Sequence, residues 1–266
     1  MAQRSPAYRS SSVARPTAEP RRRRVGRLRR SLFRLLILGV LLVIAVSYAL
    51  RVYAPGLRDE ARTVPALVRG QLTTQGASYV PLSEIAPSMG QAIVAIEDRR
   101  FYEHPGIDPL GTARAAWVDL TTKNVDQGGS TLEQQLAKRT IVHDDTSLHA
   151  KLRTMAIAWA IDQEFSKRQI LELYLNAAYY GQGAYGINAA AHTYFGTDPA
   201  HLTLAESAFL AALPQAPSVY GANPRSVTVV ARMNTVLHDM EAMGTISPAQ
   251  EQVAQNTPLT FALPNL

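Results

Sequence analysis

Two neighbouring carboxylates, Glu97 and Asp98, are the first side chains in the sequence whose placement suggests chemistry. They follow an apolar run, AIVAI, which begins behind Ser88 and Gln91, a pair with the spacing of a helix capping box. The two acids are therefore predicted to end a helix, where the helix dipole disfavours each by about 0.3–1 kcal/mol. Because stability does not favour them there, they are candidates for function. The structural alternative is a solvated, charged helix exit leading into the His-Pro-Gly turn.

A glycine pair followed by a polar helix face is the second candidate. Gly128 and Gly129 precede Ser130, which is predicted to cap a helix with Glu133. Free N–H groups and hydroxyls at such a helix start favour an anion. Residues spaced to share one polar helical face follow: Thr131, Gln134, Gln135 and Lys138. The segment lacks the residue order of a P-loop, and its alternative interpretation is a capped surface helix.

Helices are the elements that must position these residues, because alternation with a period of two is almost absent. Further capping pairs predict helix starts at Ser166 with Gln169, Thr203 with Glu206, and Ser247 with Gln250. Two apolar stripes at helical spacing are interpreted as core: Leu148, Leu152, Met155 and Trp159, and then Ile170, Leu171, Tyr174 and Leu175.

A glycine-rich break follows the second stripe. Gly181, Gly183 and Gly186 are predicted to end one helix before a small-residue helix restarts through residues 189–191. His192 is expected to be buried or at a cleft edge. Neither it nor His143 with His149 has partners at metal-ligand spacing, so the sequence predicts no protein metal site.

The first fifty residues are not globular. Residues 1–30 contain ten Arg and one Glu, and Leu35–Leu50 carries no charge. Extended to residues 32–53, the apolar segment is long enough for a bilayer and lacks the small-residue cleavage site of a signal peptide. The arginines then place the N-terminus in the cytoplasm and the rest across the membrane.

Charge after the apolar segment excludes a nucleic-acid function. The whole chain carries +6 and residues 1–30 carry +9, so residues 31–266 carry −3. No basic stripe with interleaved aromatics appears there. The chain has no cysteine, which excludes disulfides and thiolate chemistry. We predict a basic cytoplasmic tail at 1–31, a transmembrane anchor at 32–53, a linker at 54–79 and a mainly α domain at 80–266.

Taken together and in this order, the motifs resemble the peptidoglycan glycosyltransferases of family 51, the transglycosylase module of class A penicillin-binding proteins. The likeness spans Val80–Pro224. It rests on five segments: the motif from Glu97 through Phe101 and His104 to Gly106, then Gly128–Lys138, Ala150–Thr154, Tyr179–Gly196 and Leu204–Ser218. No penicillin-binding serine module is recognisable before Leu266, so the resemblance is to the stand-alone, monofunctional transglycosylases.

The resemblance implies a lysozyme-like, two-lobed helical fold with an apolar jaw against the membrane, behind a single N-terminal transmembrane helix. It implies polymerisation of lipid II with Glu97 as the general base and release of undecaprenyl pyrophosphate, in the bacterial cytoplasmic membrane. A divalent cation such as Mg²⁺ at the pyrophosphate, and partner cell-wall synthases or division proteins, are further implications. The implied substrate-binding residues are Asp98, Phe101, His104, Ser130, Thr131, Gln134, Gln135, Lys138, Arg139 and Lys151.

The chain departs from the family pattern in its third motif. That motif usually begins R-K-x-x-E, whereas here Ala150 and Thr154 replace the arginine and the glutamate, and Lys151 alone matches. Arg139 stands where the family usually has asparagine. Arg153 and Arg139 could restore the cationic character that is lost at Ala150.

Two other functions are compatible with the sequence. A membrane-anchored lipid II binder or scaffold would explain Ala150 and Thr154. A glycan hydrolase would share the fold and a cleft glutamate, but it usually needs a second carboxylate or a positioned water.

Overall fold

A computed structural model describes residues 55–111, 129–143, 145 and 147–262, and these residues are mainly helical. The only strand-type pairing in this part of the chain is an isolated antiparallel bridge between Tyr179 and Tyr185. The described residues belong to one unit, Ala54–Leu266. The prediction of a mainly α domain is therefore confirmed.

Within the described residues, ten α-helices with defined ends follow a helical segment at residues 55–62. They are α1 Val64–Thr74, α2 Pro87–Glu97, α3 Leu132–Ala137, α4 Leu148–Glu164, α5 Lys167–Ala177, α6 Gly186–Phe195, α7 Leu204–Ala212, α8 Pro217–Ala222, α9 Val227–Ala242 and α10 Pro248–Asn256. A π-helical turn, Lys138–Val142, continues α3, and short 3-10 turns occupy Leu82–Glu84, Pro199–His201 and Leu213–Gln215.

Three predicted helix starts are confirmed as capping boxes, those of Ser166, Thr203 and Ser247. The predicted start at Ser88 is wrong. Helix α2 begins at Pro87 behind Ala86, and the Ser88 hydroxyl instead lies 2.8 Å from the Ser207 hydroxyl on α7. Proline at the first helical position favours this start, because its fixed φ suits a helix and its missing N–H would be unpaired there.

The start of α3 lies one residue later than predicted. Thr131, not Ser130, is the N-cap, and it forms a capping box with Gln134. Both pairs have the same spacing in the sequence, so spacing alone could not choose between them. The choice leaves Ser130 exposed and buries Thr131.

The segment predicted as a linker, residues 54–79, is not a spacer. Helix α1 buries Val64, Val68 and Leu72 in the core, each at most 1% exposed, and it packs against α5. The period of four was present in the sequence, but the Pro, Gly, Thr and Gln residues of the segment favoured a spacer. The folded domain therefore begins before residue 80.

Helix α2 lies at the centre of the fold, packed against α7 and α9. Its apolar run is buried through Ala92, Ile93, Val94 and Ala95, which fixes the direction in which its C-terminal acids leave the helix. The stripe of Ile170, Leu171, Tyr174 and Leu175 is buried as predicted. The other stripe is core only at its end: Leu148 and Leu152 are 74% and 59% exposed, whereas Trp159 is partly buried and packs against the core.

The glycine-rich break lies where the sequence predicts it, between α5 and α6. Gly181, Gly183 and Gly186 all have positive φ, which glycine adopts without strain. A Cβ on Gly181 would lie 2.3 Å from the Pro217 carbonyl oxygen, so the turn also needs a residue without a side chain. His192 is exposed near Asp198, contrary to the expected buried or cleft-edge position.

The predicted tail, residues 1–31, and the predicted anchor, residues 32–53, lie outside the described residues. No helix in the described part of the chain combines the length and hydrophobicity needed to cross a membrane.

Candidate active site

Glu97 is the last residue of α2, as predicted, and its half-buried carboxylate is held from one side. Gln135 on α3 donates a hydrogen bond from Nε2 to Glu97 Oε2 at 2.7 Å. The other end of that amide accepts from the Tyr174 hydroxyl at 3.0 Å and from Arg139 at 3.4 Å. Since Tyr174 is fully buried, this chain of contacts orients the carboxylate through the core.

Asp98, the next residue, is turned inward. His104 donates from Nε2 to both Asp98 carboxylate oxygens, at 3.0 and 2.9 Å, and the Leu132 N–H donates to Asp98 Oδ2 at 3.1 Å. The carboxylate thus joins the end of α2 to the start of α3. The adjacent acids have different surroundings, with Asp98 buried and Glu97 partly open.

A partly buried ion cluster adjoins His104, the partner of Asp98. Lys167 on α5 bonds to Glu133 Oε1 at 2.6 Å, to Asp162 at 2.8 Å and to the His104 carbonyl oxygen at 2.7 Å. Burial lowers the pKa of His104, but the hydrogen bond and charge of Asp98, with the charge of Glu133, reverse this, and the net shift is upward. Burial raises the pKa of Glu133 against the opposing effect of Lys167.

The start of α3 does not offer the free N–H groups that the glycine pair predicts. The Thr131 N–H donates to the Gln134 side chain, the Leu132 N–H to Asp98, and the Gln134 N–H to the Thr131 hydroxyl. The Thr131 hydroxyl itself donates to the Gly106 carbonyl oxygen at 2.8 Å. Two of the N–H groups are used within the capping box, and the Leu132 N–H and the Thr131 hydroxyl join the helix to the first motif. These groups therefore do not form an open anion site.

An open cavity of about 590 Å³ lies in front of Glu97. Four predicted site residues line it: Glu97, Asp98, Ser130 and Thr131. The rest of its wall comes from residues 96–111, from Gln215 and Tyr220, and from one face of α9. A carboxylate with one oriented oxygen, facing a polar cavity with an exposed hydroxyl, can accept a proton from a bound alcohol.

The other predicted site residues do not line this cavity. Phe101 and His104 are interior side chains, 0% and 4% exposed, and His104 reaches the site through its hydrogen bonds to Asp98. Gln134 completes the capping box of α3, and Gln135 is hydrogen-bonded to Glu97. Lys138 and Lys151 are exposed, and Arg139 lies over the Tyr174 ring at 5.3 Å.

Comparison with known proteins decides the family. The sequence model of the family described as Transglycosylase matches residues 66–241, about two thirds of the chain. The chain belongs to the transglycosylase family. Its N-terminal boundary falls inside α1, in agreement with the burial of that helix.

Curated relatives of this transglycosylase domain are much longer proteins. Penicillin-binding protein 1A of Aquifex aeolicus is 39% identical over 213 residues, which cover 80% of this chain and 29% of the relative. The Rickettsia typhi protein of the same name is 36% identical, covering 86% and 32%, and that of Escherichia coli is 44% identical, covering 64% and 20%. The chain thus spans about a third or less of these relatives.

Among solved structures, the crystal structure of penicillin-binding protein 1A from Haemophilus influenzae matches with a TM-score of 0.40 and 24% identity. The match covers 70% of this chain and 18% of that one.

The third motif of this transglycosylase domain lies at the start of α4. Ala150 is 2% exposed, and the Thr154 hydroxyl donates to the Ala150 carbonyl oxygen within the helix at 2.8 Å. Arg153 pairs with Glu60 at 2.9 Å, so it does not take the place of the missing arginine as a free cation.

Sequence reasoning missed the contribution of α9. Thr228, Arg232, Thr235 and Asp239 recur at helical spacing and face the cavity, while Val229, Met233, Val236 and Leu237 are buried on the opposite side. That amphipathic pattern was readable in the sequence. The direction in which the polar face points was not readable from the sequence, because it depends on how α9 packs against α2 and α7.

The cavity residues do not fit a protein-held divalent cation. Such a cation needs several free oxygen ligands, but Asp98 is bonded to His104, Asp108 to Arg100, and Asp239 to Arg99. Within the described residues, the groups close enough to share an ion are Asp98, His104 and Glu133, and His238, Glu241 and Glu251. In the first group Lys167 already supplies a positive charge to Glu133.

Proposed function

We propose that this transglycosylase domain polymerises lipid II into the β-1,4-linked glycan strands of peptidoglycan. Glu97 removes the proton from the 4-hydroxyl of the acceptor sugar as that oxygen attacks the anomeric carbon of the growing chain. The bond from that carbon to the pyrophosphate oxygen breaks, and undecaprenyl pyrophosphate leaves. The proposal needs one base, one exposed cavity and a place for the pyrophosphate.

The hydrogen bond from Gln135 to Glu97 is the observation that carries the proposal most directly. It occupies Oε2 and leaves the carboxylate, at the cavity wall, with a second oxygen for the incoming hydroxyl. An orientation fixed before substrate binds lowers the cost of reaching a reactive geometry. Family membership supports the reaction class.

The leaving pyrophosphate is assigned to Ser130, Lys138 and Lys151, three of the residues that the resemblance implies as substrate-binding. Ser130 is exposed at the cavity wall, and Lys138 and Lys151 are exposed cations without an acidic partner in the described residues. Cations near a developing phosphate charge lower the barrier to its departure. Asp98, Phe101 and His104 are assigned to holding this arrangement together through α3.

The membrane location is part of the same proposal. Residues 32–53 would anchor the chain, with residues 1–31 in the cytoplasm and the domain outside it. The lysozyme-like, two-lobed arrangement is proposed with it. The exposed Leu148 and Leu152 on α4 suit the jaw that would lie against the lipid. A reporter fused after Leu266 that is active only in the cytoplasm would contradict this topology.

A lipid II binder without turnover is the second candidate, and Thr154 favours it. The family glutamate is missing there, and the Thr154 hydroxyl is used within the helix. Thr154→Glu tests this candidate. Restoring the acid raises the rate if its absence limits the enzyme, whereas a pure binder stays inactive with either residue.

Incubation of the full chain in detergent with lipid II tests the proposed function. Polymerisation gives glycan strands and undecaprenyl pyrophosphate in step with each other. Hydrolysis would release sugar without strands, and a binder would return lipid II unchanged. Either of these last two results contradicts the proposal.

A further inference from the structure

The arginines at the cavity wall differ in how their charge is used. Arg99 forms an ion pair with Asp239 on α9. Arg100 pairs with Asp108 at 3.1 Å and with Glu103 at 2.9 Å. Both guanidinium groups are therefore neutralised by acids of the same wall, and neither is available to a ligand without breaking an ion pair.

Arg232, the third arginine of the wall, has no such partner. No hydrogen bond or ion pair to its side chain occurs within the described residues, and its Nε is buried without an acceptor. A buried N–H that lacks an acceptor destabilises the protein. Arg232 lines the cavity, and the terminal N–H groups of a guanidinium without an acidic partner can bind an oxyanion through two parallel bonds.

The position of Arg232 is fixed by the packing of α9 in the core. Val229, Met233, Val236 and Leu237, on the face opposite the cavity, are buried, and α9 packs against α2 and α7. Helix α2 carries Glu97 at its end, so the acid and the arginine are positioned by two helices in direct contact. Their spacing is thus set by the core and not by a loop.

We propose that Arg232 is a substrate-positioning residue that binds an oxyanion of the substrate in the cavity of Glu97. The inference deepens the proposed function and rests on it for the identity of the substrate. Lipid II carries such oxygens in its pyrophosphate and in its peptide carboxylates. In either case, the ion pair anchors the substrate while its sugar hydroxyl or anomeric carbon reaches Glu97.

The N–H groups at the start of α3 do not supply the positive side of the cavity, because they are already bonded to Asp98, Gln134 and Thr131. This supports Arg232 on α9 as the cation of the cavity. Lys138 and Lys151 lie outside the cavity wall. Among the described wall residues, Arg232 is thus the cation without an acidic partner.

Three variants of the full chain test the proposal. Arg232→Gln removes the charge, Arg232→Lys keeps the charge without the planar guanidinium, and Arg168→Gln removes the same charge from an exposed position on α5 outside the cavity. Loss of a charged hydrogen-bonded pair raises KM for lipid II by about 10- to 100-fold, with a smaller change in kcat. We expect about tenfold for Arg232→Lys and no change for Arg168→Gln.

Binding measured by calorimetry in detergent gives a readout independent of turnover. The ligands are lipid II and a short-chain polyprenyl pyrophosphate, with the corresponding neutral polyprenol as the blank. If Arg232→Gln weakens binding of both ligands, the oxyanion is the pyrophosphate. If it weakens binding of lipid II alone, the oxyanion belongs to the peptide.

Unchanged binding of both ligands by Arg232→Gln, at a melting temperature near that of the wild type, would overturn the proposal. If Arg232→Gln fails to fold, Arg232→Lys decides, and an unchanged KM and affinity in that variant overturn it equally. If the wild type does not polymerise lipid II, the proposed function fails by itself, and the binding experiment still decides the role of Arg232.

Discussion

Glu97 and Asp98 are adjacent in the sequence, yet the structure gives them different partners. Glu97 keeps one carboxylate oxygen beside Gln135 and faces the cavity. Asp98 has both oxygens bonded to His104 and one also to the Leu132 N–H. The first acid is arranged to exchange a proton, and the second to hold two helices together.

The variant Lys138→Ala distinguishes a role of Lys138 in chemistry from a role in folding. Its side chain is exposed after α3, so Lys138→Ala leaves little cavity and the melting temperature stays near that of the wild type. If it stabilises the leaving pyrophosphate, polymerisation falls about 10- to 100-fold. Arg168→Ala, an exposed cation of α5, is the control. A large loss of stability with unchanged specific activity would assign Lys138 a structural role.

The raised pKa of His104 predicts how stability depends on pH. A histidine whose folded pKa exceeds its unfolded value, about 6.5, stabilises the fold fully below pH ~6.5, and the contribution is lost as pH rises through the folded pKa. The free energy of unfolding of the wild type therefore decreases more steeply above pH ~6.5 than that of His104→Gln. Urea unfolding at a series of pH values measures the difference.

The pKa of Glu133 is raised as well. Glu133 therefore also makes the free energy of unfolding decrease as pH rises, but this decrease begins at lower pH than that of His104. The comparison between wild type and His104→Gln largely removes that shared background. Parallel pH profiles for the two proteins would show that Asp98 does not hold His104 in its charged form.

At the scale of elements, the turn between α5 and α6 depends on glycines that differ in their surroundings. Gly181 has φ +84°, and a Cβ there would meet the Pro217 carbonyl oxygen at 2.3 Å and Gly221 Cα at 3.0 Å. Gly183 has φ +74° with no atom within 4 Å of a Cβ. Backbone conformation is the common requirement, and close approach of α8 is specific to Gly181.

Gly181→Ala and Gly183→Ala therefore form a matched pair. Gly183→Ala costs about 1–2 kcal/mol, from the left-handed backbone alone. Gly181→Ala adds a clash with backbone atoms and costs about 3 kcal/mol or more. Thermal or urea unfolding of both variants compares the two costs. Equal costs would show that α8 moves away freely.

At the scale of the whole molecule, the burial of α1 shows that the folded domain includes this helix. Leu72 is 1% exposed and contacts the region of Gly186, where a Cβ would lie 2.9 Å from Leu72 Cδ2. Leu67 on the same helix is 41% exposed. The residues before the first motif are therefore part of the domain that positions Glu97.

Leu72→Ala tests that boundary. Removing a buried leucine side chain costs about 2–5 kcal/mol, whereas Leu67→Ala, at the surface, costs less than about 1 kcal/mol. Urea unfolding of the full chain measures both. Equal, small effects would mean that α1 is dispensable to the fold.

Local patterns predicted the elements whose signals lie within a few residues. The capping boxes at Ser166, Thr203 and Ser247 and the helix end at Glu97 are examples. Long-range packing decided the rest. Leu148 and Leu152 have the spacing of a core stripe but are exposed, and no local pattern shows that α9 brings Arg232 to the cavity.

The most direct test of Glu97 as the general base is polymerisation of lipid II by the full chain and by Glu97→Gln. The amide keeps the shape of the side chain but accepts no proton, so turnover falls by roughly 10²- to 10⁴-fold, about 3–5 kcal/mol of barrier. Stability is unchanged or slightly higher, because the lost charge opposed the dipole of α2. Lipid II binding persists. A wild type that polymerises lipid II, paired with an equally active Glu97→Gln variant of equal stability, would contradict the assignment.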